Sequence, residues 1–424
     1  MPILSKSKRL KKSDDSSPEF QRVGYPKNSF DRFGDDLIER VLSFLPFEDK
    51  IRYESLSKQI QRLVYKKVEA IPNNLINISS EKFEALLNKC KFLKIIDLEK
   101  SKGISKKFGI VINNCNHLTE IRTNFSKLSN RTIEKLGQKY GTKLKTIYSY
   151  STKSLKPKPM PQKVFTLFPE LTEIGGKNIK IESLISGNDV LLKKLKKIEF
   201  NSEDNIEFLS KIIESNKYIL ESINLTQLTA NSGPEVSNEI LKLSHLKHLK
   251  VSATDGFFLI EFFNKLGKKC TKIVSIEVNV NSFDSFEPEI WSQLLNTFNR
   301  FDKLKVLLIE HSKRWGTHWG YGNQPKPISF MPNKSFKVWQ NLVQFKCNSY
   351  FDETSFAALL RYVPKLQTLY CEVNHITDNT LDSLSRLTQL QKLILNSKID
   401  NKASKECLLY FIRNSPKLKY CNFV

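Results

Sequence analysis

The side chains best suited to bond-making chemistry in this 424-residue chain are six histidines and seven cysteines, and their spacing sets up none. His245 and His248 lie close together and His311 and His318 share one stretch, yet no carboxylate or cysteine completes a ligand set at a spacing used for zinc. The sequence has no Gly-x-Ser-x-Gly elbow, glycine-rich phosphate loop or His-Glu-x-x-His pair. The expectation is a chain without catalytic residues, metal or cofactor. What remains is the chemistry of contact. Arg314, Trp315, His318, Trp319 and Tyr321 crowd one segment punctuated by Gly316, Gly320 and Gly322. Aromatic residues and arginine are the types that concentrate binding energy at interfaces, and the glycines suit an adaptable loop.

That segment interrupts a repeat whose clearest copy runs from Pro364 to Leu395. Leu366, Leu369 and Cys371 alternate as one face of a strand; Ile376-Thr377-Asp378 follows; Leu381, Leu384 and Leu387 then recur at helical spacing until Leu390 restarts the pattern. Neither half can bury its apolar side alone, whereas stacked copies can. The first position recurs at Leu93, Leu118, Leu144, Leu171, Leu195, Leu220, Leu246, Ile273, Leu304, Leu342, Leu366, Leu390 and Leu418, which makes 13 strands. Of the 39 slots at positions one, four and six, 36 are apolar, against roughly 16 expected from a composition that is 40% hydrophobic; the exceptions are Thr123, Ser149 and Gly176. This pattern resembles the leucine-rich-repeat family, closest to its cysteine-containing subtype. The resemblance implies an α/β horseshoe with about 13 parallel strands on the concave face and helices on the convex face, spanning residues 71–424.

The repeat also accounts for the cysteines. Cys90, Cys115 and Cys270 stand three places before a strand, Cys347, Cys371 and Cys421 fill strand core slots, and Cys407 sits on the apolar face of the last helix. They read as small buried hydrophobes, not disulfides or metal ligands. No run of 18 or more apolar residues and no signal-type apolar start is present, so a soluble, cytoplasmic protein without a membrane partner is expected.

A formal net charge of +24 raises the question of nucleic acid. Strand positions three, five and seven should face the concave side, and there six basic residues meet eight acids. The surplus instead flanks the first strand residue, at Lys94, Lys143, Lys145, Lys194, Lys196, Lys247, Lys272, Lys303, Lys305, Lys365, Lys417 and Lys419, opposed only by Glu170 and Glu221. A lysine-lined rim follows, with weak, sequence-indifferent nucleic-acid binding as its expected consequence.

Ahead of the repeats, residues 1–31 read as a disordered basic tail. Its run Lys6-Ser7-Lys8-Arg9-Leu10-Lys11-Lys12 resembles a nuclear import signal, which would add a nuclear location. Residues 32–70 should form three short helices, with Asp35 capping the first, Pro46 ending it, the second running from Phe47 to Leu56 and Ser57 capping the third; a strand at 75–78 should then lead into the solenoid. So small a unit needs cover for its apolar side, from the solenoid or from a partner. Its residues Asp35-Asp36-Leu37-Ile38, Val41-Leu42-Ser43-Phe44-Leu45-Pro46 and Leu56-Ser57-Lys58 resemble the F-box, although Phe33-Gly34 replaces the family's opening Leu-Pro and Ile60 its aromatic residue. The resemblance implies a non-catalytic substrate receptor of an SCF-type ubiquitin ligase. Phe33, Leu37, Ile38, Val41, Leu42, Leu45, Pro46, Ile51 and Leu56 would hold a Skp-type adaptor, and through it a cullin. The alternatives are an amino-terminal cap on the solenoid, a nucleic-acid-binding solenoid, or a scaffold with no ligase role.

Departures from the repeat mark where a target should bind. The interval from Leu304 to Leu342 is lengthened by an insertion at about 310–335, expected after a strand and before its helix. Nearby outward positions turn apolar at Val306, Leu308, Tyr370, Ile394 and Tyr420. With Arg314, Trp315, His318, Trp319 and Tyr321 these residues form the expected target site, unless the loop merely plugs the solenoid.

Overall fold

A computed structural model describes residues 33–71, 77–150, 159–176, 179–201, 205–254, 256–281, 288–311, 327–397 and 403–423. Its centre is one 13-stranded parallel sheet. The strands are β1 (Ile95–Asp97), β2 (Glu120–Thr123), β3 (Thr146–Ser149), β4 (Glu173–Gly175), β7 (Lys197–Asn201), β8 (Ser222–Leu228), β9 (His248–Ala253), β10 (Ser275–Val280), β11 (Val306–His311), β12 (Gln344–Phe351), β13 (Thr368–Val373), β14 (Lys392–Ser397) and β15 (Tyr420–Phe423), in chain order across the sheet. The pair β5 (Ile185–Ser186) and β6 (Asp189–Val190) forms a separate antiparallel hairpin. The register aligns position four with position four: Ile96 with Ile121, Ile276 with Leu307, Phe345 with Leu369. Every strand therefore sends the same two or three apolar slots into one continuous core, closed by helices such as Ile206–Asn216 and Gly256–Lys269.

The tripeptide Ile376-Thr377-Asp378 shows how a turn becomes a helix. Ile376 is buried, the Thr377 hydroxyl accepts from the Thr380 amide (3.2 Å), and Asp378 places negative charge in the first turn, where unpaired amides favour it. Ser129, Asp352 and Ser404 cap their helices in the same way. Two of the three polar core slots, Ser149 and Gly176, also have a cause. Phe125, fully buried, enters the interior from the turn after β2 and donates its amide to Ser149 Oγ (3.4 Å). Gly176 has φ +111°, and a Cβ there would lie 2.1 Å from the Ser149 carbonyl oxygen, so no side chain fits.

Repeats are stitched at the ends of their helices. The Tyr140 hydroxyl donates to the carbonyl of Cys115 (2.7 Å), and the Cys270 thiol points at the carbonyl of Leu243 (3.6 Å). Buried Asn216 accepts from the Leu195 amide (2.9 Å) and donates to the carbonyls of Leu192 (3.1 Å) and Ile212 (3.0 Å). Asn216→Ala would strand these groups without water. Each unsatisfied buried group costs about 1–3 kcal/mol, so a loss of about 2–4 kcal/mol is expected in urea unfolding.

Four expectations change. Asp35 is the first helical residue rather than the cap; Gly34 holds the cap position. The second helix stops at Arg52 and continues as a 3-10 turn, Tyr53–Ser55. A strand expected at 75–78 does not include Asn77 or Ile78; Ala70 instead makes the edge bridge to Ile95. Among the described residues no helix lies between the insertion and β12. Residues 327–343 run beside the helix Pro288–Phe298, held by Asn296 and Asn299, and fill the helix's place with Phe330, Phe336 and Trp339 packed edge to face, Phe336 also meeting Tyr362 of the next repeat.

Candidate interaction surfaces

The amino-terminal unit consists of α1 (Asp35–Ser43), α2 (Phe47–Arg52) and α3 (Lys58–Lys66). Its inner side is part of the solenoid. Ile38 and Leu42 of α1 pack with Ile60, Leu63 and Val64 of α3, and the chain runs from α3 into the sheet edge, where Glu69 accepts the amides of Lys94 (2.8 Å) and Ile95 (2.9 Å). Side chains fix the joints. The Asp35 carboxylate accepts from Gln59 Nε2 and Arg62 Nη2, both at 2.8 Å; the Gln59 hydrogen bond is the main cause holding its carboxyl below the usual range. Ser57 caps α3 through the Ile60 amide (3.0 Å). Buried Tyr65 donates its hydroxyl to Glu54, which also accepts from Lys89 (3.0 Å) on the first solenoid helix.

The outer side of α1 is different. Leu37, Val41 and Phe44 fall at i, i+4 and i+7, on one face, and are 51%, 52% and 73% exposed. Tyr53 and Leu56 are exposed apolar residues of the same unit, and the Arg40 guanidinium lies 5.2 Å from the centre of the Phe44 ring. Of the nine residues expected to face an adaptor, Leu37, Val41, Pro46 and Leu56 are exposed, while Phe33, Leu45 and Ile51 are half-buried. Ile38 and Leu42 lie in the interior and hold the unit together instead. Sequence reading passed over Phe44 and Tyr53; the 37/41/44 spacing was the signal that could have found Phe44.

On the concave face, register brings the expected target residues into two rows. Leu308, Lys346, Tyr370 and Ile394 are neighbours across β11 to β14, and Val306, Gln344, Thr368, Lys392 and Tyr420 across β11 to β15. Val306, Leu308, Tyr370 and Ile394 are half-buried and Tyr420 is exposed. The Lys346 ammonium pairs with Glu310 and lies 5.3 Å from the Tyr370 ring centre, and Asn396 donates to the Tyr370 hydroxyl (3.2 Å). Arg314, Trp315, His318, Trp319 and Tyr321 lie outside the described residues.

The rest of the concave face is polar and internally paired. Arg122 pairs with Glu120, Lys250 with Glu277, and Lys197 stands 4.0 Å from Glu173. Partial desolvation holds His248 below the ordinary histidine range despite the opposing effect of Glu221. Among the described residues no group of three histidine, cysteine or acidic side chains is placed to hold a metal. The cysteines are unbridged, and five of the seven are buried.

The lysine rim divides in two. In the first half Lys145 and Lys194 share Glu170, Lys247 pairs with Glu221, and Lys94 pairs with Glu69, an acid the sequence count missed because it precedes the first repeat. Lys143 and Lys196 of the first half, and in the second half all of Lys272, Lys303, Lys305, Lys365, Lys417 and Lys419, are exposed and make no ion pair among the described residues. The six second-half charges should bind a single-stranded oligonucleotide with a log-log salt slope no steeper than about −4.2, at about −0.7 per phosphate. Fluorescence anisotropy should show this binding in dilute buffer and lose it near physiological salt.

No helix among the described residues is long and apolar enough to cross a membrane. No family model matches the chain, and no curated protein matches it. Among solved structures it is similar to a complex of Rad7 and Elc1 from yeast, at 14% identity and a TM-score of 0.44, over 91% of this chain and 92% of that one. It is also similar to the leucine-rich-repeat-containing protein LegL7 of Legionella pneumophila, at 10% identity and a TM-score of 0.37, over 80% of this chain and 96% of that one. A third likeness is to the Drosophila Toll–Spatzle complex, at 14% identity and a TM-score of 0.39 over 81% of this chain; this chain spans about half, 48%, of that one. With its single parallel sheet, matched register and convex helices, the chain is a leucine-rich-repeat solenoid with a helical unit packed on its first strand.

Proposed function

We propose that the chain is the target-recognising, non-catalytic subunit of an SCF-type ubiquitin ligase. In this reading the outer face of α1 docks a Skp-type adaptor, and through it a cullin, while the concave sheet holds the protein to be modified. One observation carries it: the row Leu37, Val41 and Phe44 stays open to water although the same small unit buries Ile38 and Leu42. A unit serving only to cap the solenoid needs the inner side and gains nothing from an exposed apolar row, whereas a helix presenting such a row is what a partner groove takes up. The F-box resemblance of residues 35–58 supplies the identity of that partner.

Affinity purification of the full chain from its own cells, followed by mass spectrometry, tests the reading. A Skp-type adaptor and a cullin should be recovered together. Recovery of neither, from cells that contain both, would leave the unit a cap and the chain a scaffold. Recovery dominated by one RNA or DNA that persists at physiological salt would instead favour the unpaired second half of the rim as the working surface.

A further inference from the structure

The outward face of the last five strands differs from the rest of the concave sheet in two ways at once. Its middle is apolar. Leu308 on β11, Tyr370 on β13 and Ile394 on β14 share one register row with Lys346 of β12, and Val306 and Tyr420 stand in the row beside it. None of these five side chains fills an inward core slot, and all keep part of their surface open to water, where nothing in the fold requires apolar residues. One edge of the same patch is charged. The residues from two places before to one place after Leu304, Leu342, Leu366, Leu390 and Leu418 include five lysines, Lys303, Lys305, Lys365, Lys417 and Lys419, and one acid, Asp302. These lysines are exposed and form no ion pair among the described residues, unlike Lys94, Lys145, Lys194 and Lys247 at the other end of the sheet.

The acids of these strands stand at the opposite edge. Glu310 and Glu372 lie four residues past Val306 and Thr368; Glu310 is paired with Lys346, and Glu372 is buried. Along the strands the surface therefore passes from unpaired ammonium groups, through apolar side chains, to carboxylates that are paired or covered. Lys392, 5.5 Å from the centre of the Tyr420 ring, adds a further cation on the lysine side.

This asymmetry selects the chemistry of an occupant. An apolar surface with acids along one flank satisfies both features, whereas a second copy would bring the same lysine edge and a net charge of +24 against its own. Spacing selects the occupant's form. Neighbouring strands lie about 4.8 Å apart, so β11 to β15 span about 19 Å. A helix laid across them advances about 5.4 Å per turn, close to one turn per strand, and covers the span in about 13 residues. An extended chain returns the same face only about every 6.6 Å, which falls out of step with the strands.

We propose that this face binds an amphipathic helix of the target protein, lying across β11 to β15 with its apolar stripe on Leu308, Tyr370 and Ile394 and its acidic flank along the lysine edge. The inference rests on the reading of the concave sheet as the target surface and deepens it by naming the segment recognised. No adaptor takes part, so the test uses the full chain alone, and its failure would leave the adaptor reading standing.

The probes are two 14-residue helical peptides with the same leucine stripe, one carrying glutamates on the flank and the other lysines. Fluorescence anisotropy at physiological salt should show the glutamate peptide bound at least about tenfold more tightly, because flanking charges set the choice between otherwise equal partners. Leu308→Ser with Ile394→Ser should weaken that binding at least about tenfold, as loss of a central apolar contact does. Lys305→Glu, Lys365→Glu and Lys419→Glu together should reverse the preference, so that the lysine peptide binds better, a switch that damage to the fold does not produce. The wild-type comparison and the charge reversal stand as tests even if the serine variant fails to fold. Equal binding of the two peptides, binding of neither at hundreds of micromolar, or a charge-swapped variant that keeps the original preference would each overturn the assignment. So would tighter binding of a 12-mer oligouridylate than of the glutamate peptide at the same salt, which would assign the edge to nucleic acid. Self-association of the chain that the serine variant abolishes would overturn it in favour of a second copy.

Discussion

Leu37→Asp combined with Val41→Asp is expected to lower the affinity for a Skp-type adaptor at least about a hundredfold and to leave the melting temperature nearly unchanged. Both side chains are half or more exposed in the free chain, so the folded state loses little when they change. In a complex each would be buried, and burying a leucine or valine contributes about 1.5–3 kcal/mol. Because about half of each side chain is already covered in the free chain, the two together amount to about 1.5–3 kcal/mol, or about one to two powers of ten at about 1.4 kcal/mol each, and burying aspartate in their place adds to the loss. Leu42→Ala is the control with the opposite signature. Leu42 is 6% exposed, so its truncation should cost about 2–5 kcal/mol of folding stability and weaken adaptor binding only by loosening α1. Titration calorimetry with purified adaptor and thermal unfolding of each variant separate the two.

Phe263→Ala should produce the largest loss of stability in the solenoid, about 3–5 kcal/mol. Phe263 is fully buried on the helix Gly256–Lys269, with its ring 5.2 Å from Phe262, 4.9 Å from Phe298 and 6.3 Å from Phe301. The last two belong to the next repeat, so the substitution removes contact within a repeat and across its boundary. In a stacked array each repeat is held chiefly by its neighbours. Hydrogen exchange should therefore accelerate in the strands β9, β10 and β11 while protection at β1 to β3 persists. Uniform acceleration along the whole chain would show that the array unfolds as one unit and that this local view is wrong.

The fold was legible because the repeat obliges every strand to present the same slots, and the pairings of Ile96 with Ile121 and Ile276 with Leu307 are the outcome. Legibility failed where one segment could satisfy the core in more than one way. After the insertion, Phe330, Phe336 and Trp339 fill a helix's place without helical spacing, which periodicity cannot detect. The outer face of α1 was legible only as a set of apolar residues. Ile38 and Leu42 carry the same hydrophobicity as Leu37 and Val41, and packing against α3 alone decides which pair faces inward. A hollow on the concave face was hidden for a different reason: it arises where Gly175 leaves the strands beside Tyr148 uncovered, and a missing side chain leaves no motif.

The most direct test of the receptor reading is titration of the wild-type full chain with a purified Skp-type adaptor, followed by hydrogen exchange on the mixture. A one-to-one complex with a Kd in the micromolar range or tighter is predicted, with new protection over α1 and the turn Tyr53–Ser55 and none over the concave strands. A folded chain that shows neither binding heat nor protection of α1 at tens of micromolar adaptor would contradict it.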